Sequence, residues 1–291
     1  MELIKVGNNT YYIKNNTNIG IYKVDDKNIY LIDTGNDKDA GRKILRIIEE
    51  NNWVIKGIIN THSNADHIGG NKYLQDKFNC PIYASNIEEC FIKYPVLESA
   101  FLYGGNPIKD LRTKFLEAKP SNTTNIKELS DGLEYFDLKG HFFDMIGIKT
   151  PDNIYFLGDS LFRKETITKY HIFFIYDVKE YLNTLEYLST LEGKLYIPSH
   201  TEATSNIQEL IQINKDKIIE VCKFLIDICN NEKIFEEILK EVFDRYNLSM
   251  NINQYVLVGS TIRSYLTYLH SEGKLKYVFK NNKMYWSSIS N

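Results

Sequence analysis

Several features are missing from this chain, and each absence removes a class of protein. No apolar stretch approaches the roughly 20 residues that a membrane-spanning helix needs. The opening segment, MELIKVGNNTYYIKNN, has no basic stretch followed by an apolar one, so it is read as lacking a secretory leader. The four cysteines, Cys80, Cys90, Cys222 and Cys229, form no Cys-x-x-Cys pair. They are read as free thiols of a reducing cytoplasm, with Cys222 and Cys229 on one helix face. A strong charge of either sign is also missing. The 35 basic and 38 acidic residues leave a formal charge of −3, which argues against a protein whose whole surface binds polyanions. No repeat or low-complexity tract occurs. Histidine is scarce, with six in 291 residues, so where the histidines fall carries information.

What is present is an ordinary globular composition, 43% hydrophobic and 25% charged, enough for one large core or two domains. Short β-branched runs at Leu3–Val6, Thr10–Ile13, Ile19–Val24 and Ile29–Ile32, separated by Asn- and Gly-rich clusters, predict strands. A helix is expected over 38–52, with Ile44, Leu45, Ile47 and Ile48 on one side. Strand 54–60, a short helix near 70–78 and strand Pro81–Ala84 follow. Residues 86–130 read as helices and loops. Strands are expected again at 133–138, 144–150, 153–158 and Leu195–Ile197, with a helix at 177–191 before the last. Interleaved strands and helices of this kind imply layered sheets with helices outside them.

From about residue 205 the character changes to long helices over 206–229, 232–246 and 255–271. Two strand-like runs around Asn281-Asn282, a hairpin turn signal, close the chain. The expected organisation is a first unit over 1–205, a connecting helix over 206–230 and a winged-helix-like unit over 231–291. Beyond residue 248 the tail carries Arg263, Lys274, Lys276, Lys280 and Lys283 against Glu272 alone. Its charge leaves nucleic acid as a disfavoured partner; packing or homodimer formation is the favoured role.

Four histidines fall at strand ends. His62 and His67 follow strand 54–60 in Thr61-His62-Ser63-Asn64-Ala65-Asp66-His67. His141 follows strand 133–138, and His200 follows Leu195–Ile197. Asp159 follows strand 153–158 in Gly158-Asp159-Ser160-Leu161-Phe162. Strand ends on one sheet edge bring such side chains into one cleft. Mixed His and Asp donors suit zinc, manganese or iron. Asp33-Thr34-Gly35 also matches the aspartic-protease triplet, but that chemistry needs a second carboxylate of the same kind, and no second such triplet exists.

These motifs resemble the metallo-β-lactamase fold superfamily, in its hydrolase branch similar to glyoxalase II. That pattern runs H-x-H-x-D-H, G-H, G-D-[ST]-L-F and a late histidine, preceded by a strand ending Leu31-Ile32-Asp33-Thr34-Gly35. The resemblance covers about residues 1–205. It implies an α+β fold, a four-layer αβ/βα sandwich with a metal pair at the sheet edge, here followed by the small C-terminal winged-helix-like domain. It further implies a first site of His62, residue 64 and His141, a second of Asp66, His67 and His200, and Asp159 bridging them. Asn64 stands where the family has histidine. An amide oxygen is a weaker match for zinc than an imidazole, so a tight second site and a weak or metal-selective first one are expected. His141-Phe142-Phe143-Asp144 also departs from the family, which has a threonine after the histidine.

The resemblance implies one or two zinc ions, with iron or manganese as alternatives, in a cytoplasmic hydrolase. Such an ion lowers the pKa of bound water to roughly 7. Metal-bound hydroxide would then attack a small ester, thioester or lactone, with Asp66 orienting it and Asp159 fixing the metal spacing. Tyr170 and His171 are the candidate substrate-pocket residues. The rival readings are a phosphodiesterase or nuclease, and a degenerate metal-binding regulator that uses its tail on DNA.

Overall fold

The computed structural model describes residues 1–289; the last two residues of the expected C-terminal unit, 290–291, lie outside the described residues. The first four strands, Glu2–Lys5, Thr10–Lys14, Ile19–Lys23 and Asn28–Ile32, pair antiparallel as a meander. The chain then crosses over through helix Lys38–Glu50. Asp37 caps that helix by accepting from the Asp39 and Ala40 N–H groups, which satisfies donors that the first turn leaves free. Strand Val54–Ile59 returns parallel to Asn28–Ile32. Ile82–Ala84 and Thr124–Asn125 extend the sheet in parallel, giving seven strands in chain order.

Period-two alternation splits this sheet cleanly. Ile13, Ile29, Leu31 and Ile58 face a cluster with Ile44 and Ile48 of the crossover helix. Tyr12, Tyr30, Ile32 and Ile59 face the other way. There they meet Ile146, Ile148, Ile154, Phe156 and Ile197 of a second sheet. Its strands are ordered Leu195–Ile197, Ile154–Phe156, Ile146–Lys149 and Glu134–Asp137. The far side of the second sheet is covered by helices Val178–Ser189 and Gln208–Ile228, through a core that includes Leu138, Tyr155, Tyr181, Leu185, Val221 and Leu225. The layers are therefore helix, sheet, sheet, helix, as the motifs implied.

The C-terminal segment continues from helix Gln208–Ile228 through strand Lys233–Ile234 and helices Phe235–Arg245 and Ile252–Ser271 to the hairpin Leu275–Lys280/Lys283–Ser288. Asn281 and Asn282 both have positive φ, 50° and 59°, the conformation of a tight two-residue hairpin turn. Lys233–Ile234 pairs with the last strand, giving a three-stranded sheet. Helix Ile252–Ser271 packs on helices Val96–Tyr103 and Val178–Ser189. Two hydrogen bonds fasten it there: the Ile175 N–H donates to Thr261 Oγ1 (3.3 Å), and Ser264 Oγ donates to the Tyr176 carbonyl (2.6 Å). Val258, Ile262, Tyr265 and Leu266 belong to the same core as the helices over the second sheet. Among the described residues, no helix is long and apolar enough to cross a membrane, and the four cysteines are unpaired.

Candidate metal centre

Strand ends build the site, because a strand that stops at the sheet edge delivers its next residues to one rim. Val54–Ile59 leads into His62 and Asn64, and the single helical turn Ala65–Ile68 sets Asp66 and His67 side by side. Glu134–Asp137 leads to His141, Ile154–Phe156 to Asp159 and Leu195–Ile197 to His200. Gly140 makes the turn before His141 at φ 115°, with the Tyr181 backbone so close that a Cβ would lie 2.2 Å from its nitrogen. Only glycine fits there.

On one side of the site, His67 Nε2 lies 3.2 Å from Asp159 Oδ1 and 3.7 Å from Asp66 Oδ2. His200 Nε2 lies 3.1 Å from Asp159 Oδ2 and 3.3 Å from Asp66 Oδ2. The opposite ring nitrogens are held from outside. His67 Nδ1 pairs with Asp33 Oδ2 at 2.8 Å, and His200 Nδ1 with the Asn16 carbonyl at 2.8 Å. Both rings thus aim Nε2 inward, the arrangement that fixes a metal-ligating imidazole. Thr17 Oγ1 donates to Asp66 Oδ2 (3.3 Å).

The other side is made by His62, Asn64 and His141. The His62 ring centre is 4.0 Å from that of His67 and 5.2 Å from that of His141. His141 donates from Nδ1 to the Phe174 carbonyl (2.9 Å), because a carbonyl can only accept. Its Nε2 faces Asn64 Oδ1 at 3.2 Å and Asp159 Oδ2 at 3.6 Å. The seven sequence-predicted residues are therefore brought together. Phe142 does not disturb the turn: it is fully buried against Phe91, Phe143 and Phe174, and aromatic packing takes the place of a threonine hydroxyl.

Among the described residues, three buried atoms in the cluster have no hydrogen-bond partner: His62 Nε2, His67 Nε2 and Asp159 Oδ1. The last two are 3.2 Å apart but not aligned for a bond. Each such orphan costs about 1–3 kcal/mol, and a cation among them would satisfy all three at once. The possible ligand atoms of His62, His67 and Asp159 lie within 4.8 Å of one another, as do those of Asp66, His67 and His200. Imidazole nitrogens and carboxylate oxygens at this spacing fit a divalent transition-metal ion.

The electrostatics differ across the site. Burial, then the neighbouring His67, pulls the His62 imidazole well below its ordinary value. Burial likewise lowers His141, against the pull of Asp159. Burial also opposes charge on His67, but the carboxylates of Asp159, Asp66 and Asp33 overcome it and raise that imidazole well above 6.5. His200 is pushed up to about 10, burial again being outweighed by Asp159 and Asp66. Burial of Asp159 is outweighed by His200 and His67, which hold its carboxyl well below the usual range.

Asp33 braces this half. It sits at φ 62°, a left-handed conformation costing about 1–3 kcal/mol. Its carboxylate accepts from the Thr61 N–H (2.9 Å), Thr61 Oγ1 (2.7 Å) and His67 (2.8 Å). Hydrogen bonds to a charged group contribute roughly 1.5–3 kcal/mol each, so the strain is outweighed.

A family model of the metallo-beta-lactamase superfamily matches residues 12–200, a span that holds every residue of the cluster. The chain belongs to this superfamily. It is 27% identical over 140 residues to a hydroxyacylglutathione hydrolase of Prochlorococcus marinus (strain MIT 9312), covering 47% of this chain and 47% of that protein. The chain thus spans about half the length of the curated relatives it matches. Two solved structures share the fold over nearly its whole length, tail included. A beta-lactamase domain protein from Burkholderia ambifaria has TM-score 0.73 and 14% identity, covering 99% of this chain and 94% of the other. A metallo-beta-lactamase family protein from Thermus thermophilus has TM-score 0.69 and 16% identity, covering 97% and 96%.

His141, Asp159 and His200 form part of the wall of a cavity of about 960 Å³. Phe162, Phe173, Phe174 and Tyr170 line it, and the tail helix adds Gln254, Leu257 and Val258. His171 does not line it. That residue takes φ 53° and stacks on Tyr246, ring centres 4.8 Å apart, which carries its ring away from the cleft.

Two buried glutamates were not foreseen. Glu88 accepts from the Ser63 N–H (2.9 Å), Ser63 Oγ (2.5 Å) and the Asp144 N–H (2.8 Å), and burial pushes its carboxyl up to about 7 against those donors. Glu98 accepts from Asn64 Nδ2 (2.8 Å), and burial pushes its carboxyl well above the usual range. The signal available in sequence was a lone carboxylate in the apolar run Val96-Leu97-Glu98-Ser99-Ala100-Phe101-Leu102.

Proposed function

We propose that the protein is a metal-dependent hydrolase acting on a small ester, thioester or lactone. The observation that carries this is a cluster of orphaned imidazole and carboxylate atoms, on His62, His67 and Asp159, that meets through Asp159, His141 and His200 the wall of a cavity large enough for a small molecule. His62, Asn64 and His141 would hold a first ion, and Asp66, His67 and His200 a second, with Asp159 between them. Zinc fits the donors, and the neutral amide oxygen of Asn64, where the family has an imidazole, leaves iron or manganese as alternatives on the first side. Bound there, a divalent ion supplies Lewis acidity and an activated water at neutral pH. Asp66, whose side chain is 43% exposed, would accept a hydrogen bond from a water in the cleft and orient it. Asp159, nearly buried, fixes the spacing of the two sides. The aromatic wall excludes bulk water from the reacting bond. Relatives named hydroxyacylglutathione hydrolases favour the thioester among the three substrates. The unpaired thiols fit a cytoplasmic setting.

Two observations weigh against the nucleic-acid readings. In the tail, which we read as winged-helix-like, helix Ile252–Ser271 lies against helices Val96–Tyr103 and Val178–Ser189 and walls the cleft, so it is not free to enter a DNA groove. The cavity rim carries Lys14, Arg163 and Lys169 beside Glu165 and Glu202, with Lys14 and Glu202 paired at 2.8 Å. That balance suits a small carbonyl substrate better than a polyanion. Assaying metal-loaded protein against ester, thioester, lactone and phosphodiester substrates tests the reading. Turnover of a carbonyl substrate, lost on chelation and in Asp159→Ala, is the expected result. Phosphodiester cleavage alone, or salt-dependent DNA binding without hydrolysis, would overturn it.

A further inference from the structure

Asn64 stands between two groups that constrain it oppositely. On one side, His141 has its Nδ1 proton committed to the Phe174 carbonyl, so Nε2 presents a lone pair to Asn64 Oδ1 at 3.2 Å. Two acceptors that close repel unless a cation or a proton lies between them. On the other side, Asn64 Nδ2 donates to Glu98 Oε1 at 2.8 Å. Among the described residues, no other hydrogen bond reaches the Glu98 carboxylate. The alternative amide orientation would put an N–H on His141 Nε2 and block the lone pair that a cation needs.

We propose that Glu98 is a positioning residue: it turns the Asn64 amide so that its oxygen, paired with His141 Nε2, completes a cation site where the family's third imidazole is missing. This rests on the metal-centre reading above. Glu98 reaches Asn64 from helix Val96–Tyr103, 34 positions along the chain. An imidazole at position 64 presents a ring nitrogen without needing an amide to be turned, so the device matters only with asparagine there. Glu98→Gln keeps an acceptor oxygen for Asn64 Nδ2, whereas Glu98→Met removes it.

The test is chelator-competition titration of manganese and zinc into metal-free protein, for the parent, Glu98→Met, Glu98→Gln, Asn64→His and the Asn64→His/Glu98→Met pair. Glu98→Met is expected to weaken the first ion about tenfold or more, the scale of outer-shell changes, and to leave the second unchanged. Glu98→Gln should stay near the parent, and Glu98→Met in the Asn64→His background should change the first ion by less than about threefold. Equal losses in Met and Gln, no loss in either, or the same loss in both backgrounds would overturn the proposal. A crystal of metal-loaded parent, with anomalous maps, gives a second readout that needs no variant. Asn64 Oδ1 on the ion with Nδ2 on Glu98 is expected; an ion bound without Asn64 refutes the role. If the parent binds no divalent ion, the metal-centre reading itself fails.

Discussion

Around Asp159 the site divides into a side with Asp66, His67 and His200 and a side with His62, Asn64 and His141, and in the metal-free protein the two carry different charge. On the first of these, carboxylates hold both imidazoles protonated, so protons occupy the place of a cation. On the other, burial keeps His62 and His141 neutral, and Asn64 adds a neutral oxygen. The difference teaches that affinity and readiness are separate. The carboxylate side has the stronger donors but must shed protons to use them. The Asn64 side has its lone pairs free but less charge to attract an ion.

The comparison breaks most visibly if the carboxylate side is removed. Asp66→Ala or His200→Ala is expected to weaken the tighter ion by more than about 100-fold, exceeding the 10–100-fold of outer-shell changes. Elemental analysis after dialysis, with a melt to check the fold, reads the loss. Restoring the other side sharpens the contrast. Asn64→His should tighten the weaker ion by about tenfold or more, read by zinc titration; identical isotherms would mean that residue 64 does not face the ion.

pH separates the two sides next. Below about 10, a proton sits on His200 and must leave when an ion binds. Affinity on that side should therefore rise about tenfold per pH unit between pH 6 and 8 for each proton displaced, while the Asn64 side stays nearly flat. The raised imidazole has a linked effect on stability. Its stabilisation of the metal-free fold is complete below the ordinary value of 6.5 and is lost as pH rises through about 10. Melting of metal-free protein should fall across that window, and saturating zinc should suppress the fall.

The smallest expected effect comes from the tail. Thr261→Val removes the acceptor of the Ile175 N–H. That leaves a buried donor, at a cost of about 1–3 kcal/mol. The neighbouring Phe174 carbonyl holds His141, so the weaker ion should lose about two- to threefold in affinity through this outer-shell change and the tighter one nothing. Calorimetric titration of both ions checks this.

His62, His67, His141, Asp159 and His200 were legible as candidates because each follows an apolar strand by a few residues and strand ends share an edge, whereas Asn64 and Asp66 came with the resemblance. Glu88 and Glu98 were not legible, since their partners lie 25 and 34 positions away and their segment, 86–130, shows no clean period. His171 was misread because it stands between Tyr170 and Ile172, which both line the cavity. A positive φ at one residue turns its ring onto Tyr246, and no pattern in the sequence announces it. Helix Lys164–Tyr170 went unseen because Lys-Glu-Thr-Ile-Thr-Lys-Tyr offers one buried residue, Ile167, too few for a period. Helix Ile252–Ser271 was expected over 255–271, but sequence periodicity cannot name the surface that covers it.

The most direct test of the asymmetric two-ion centre is a zinc titration of metal-free protein at pH 7 under chelator competition, with anomalous diffraction at each step of filling. The expected result is two steps: the first ion appears among Asp66, His67, His200 and Asp159, and the second, weaker one among His62, Asn64, His141 and Asp159. Filling of the Asn64 side first, or no ordered ion at either place, would contradict it.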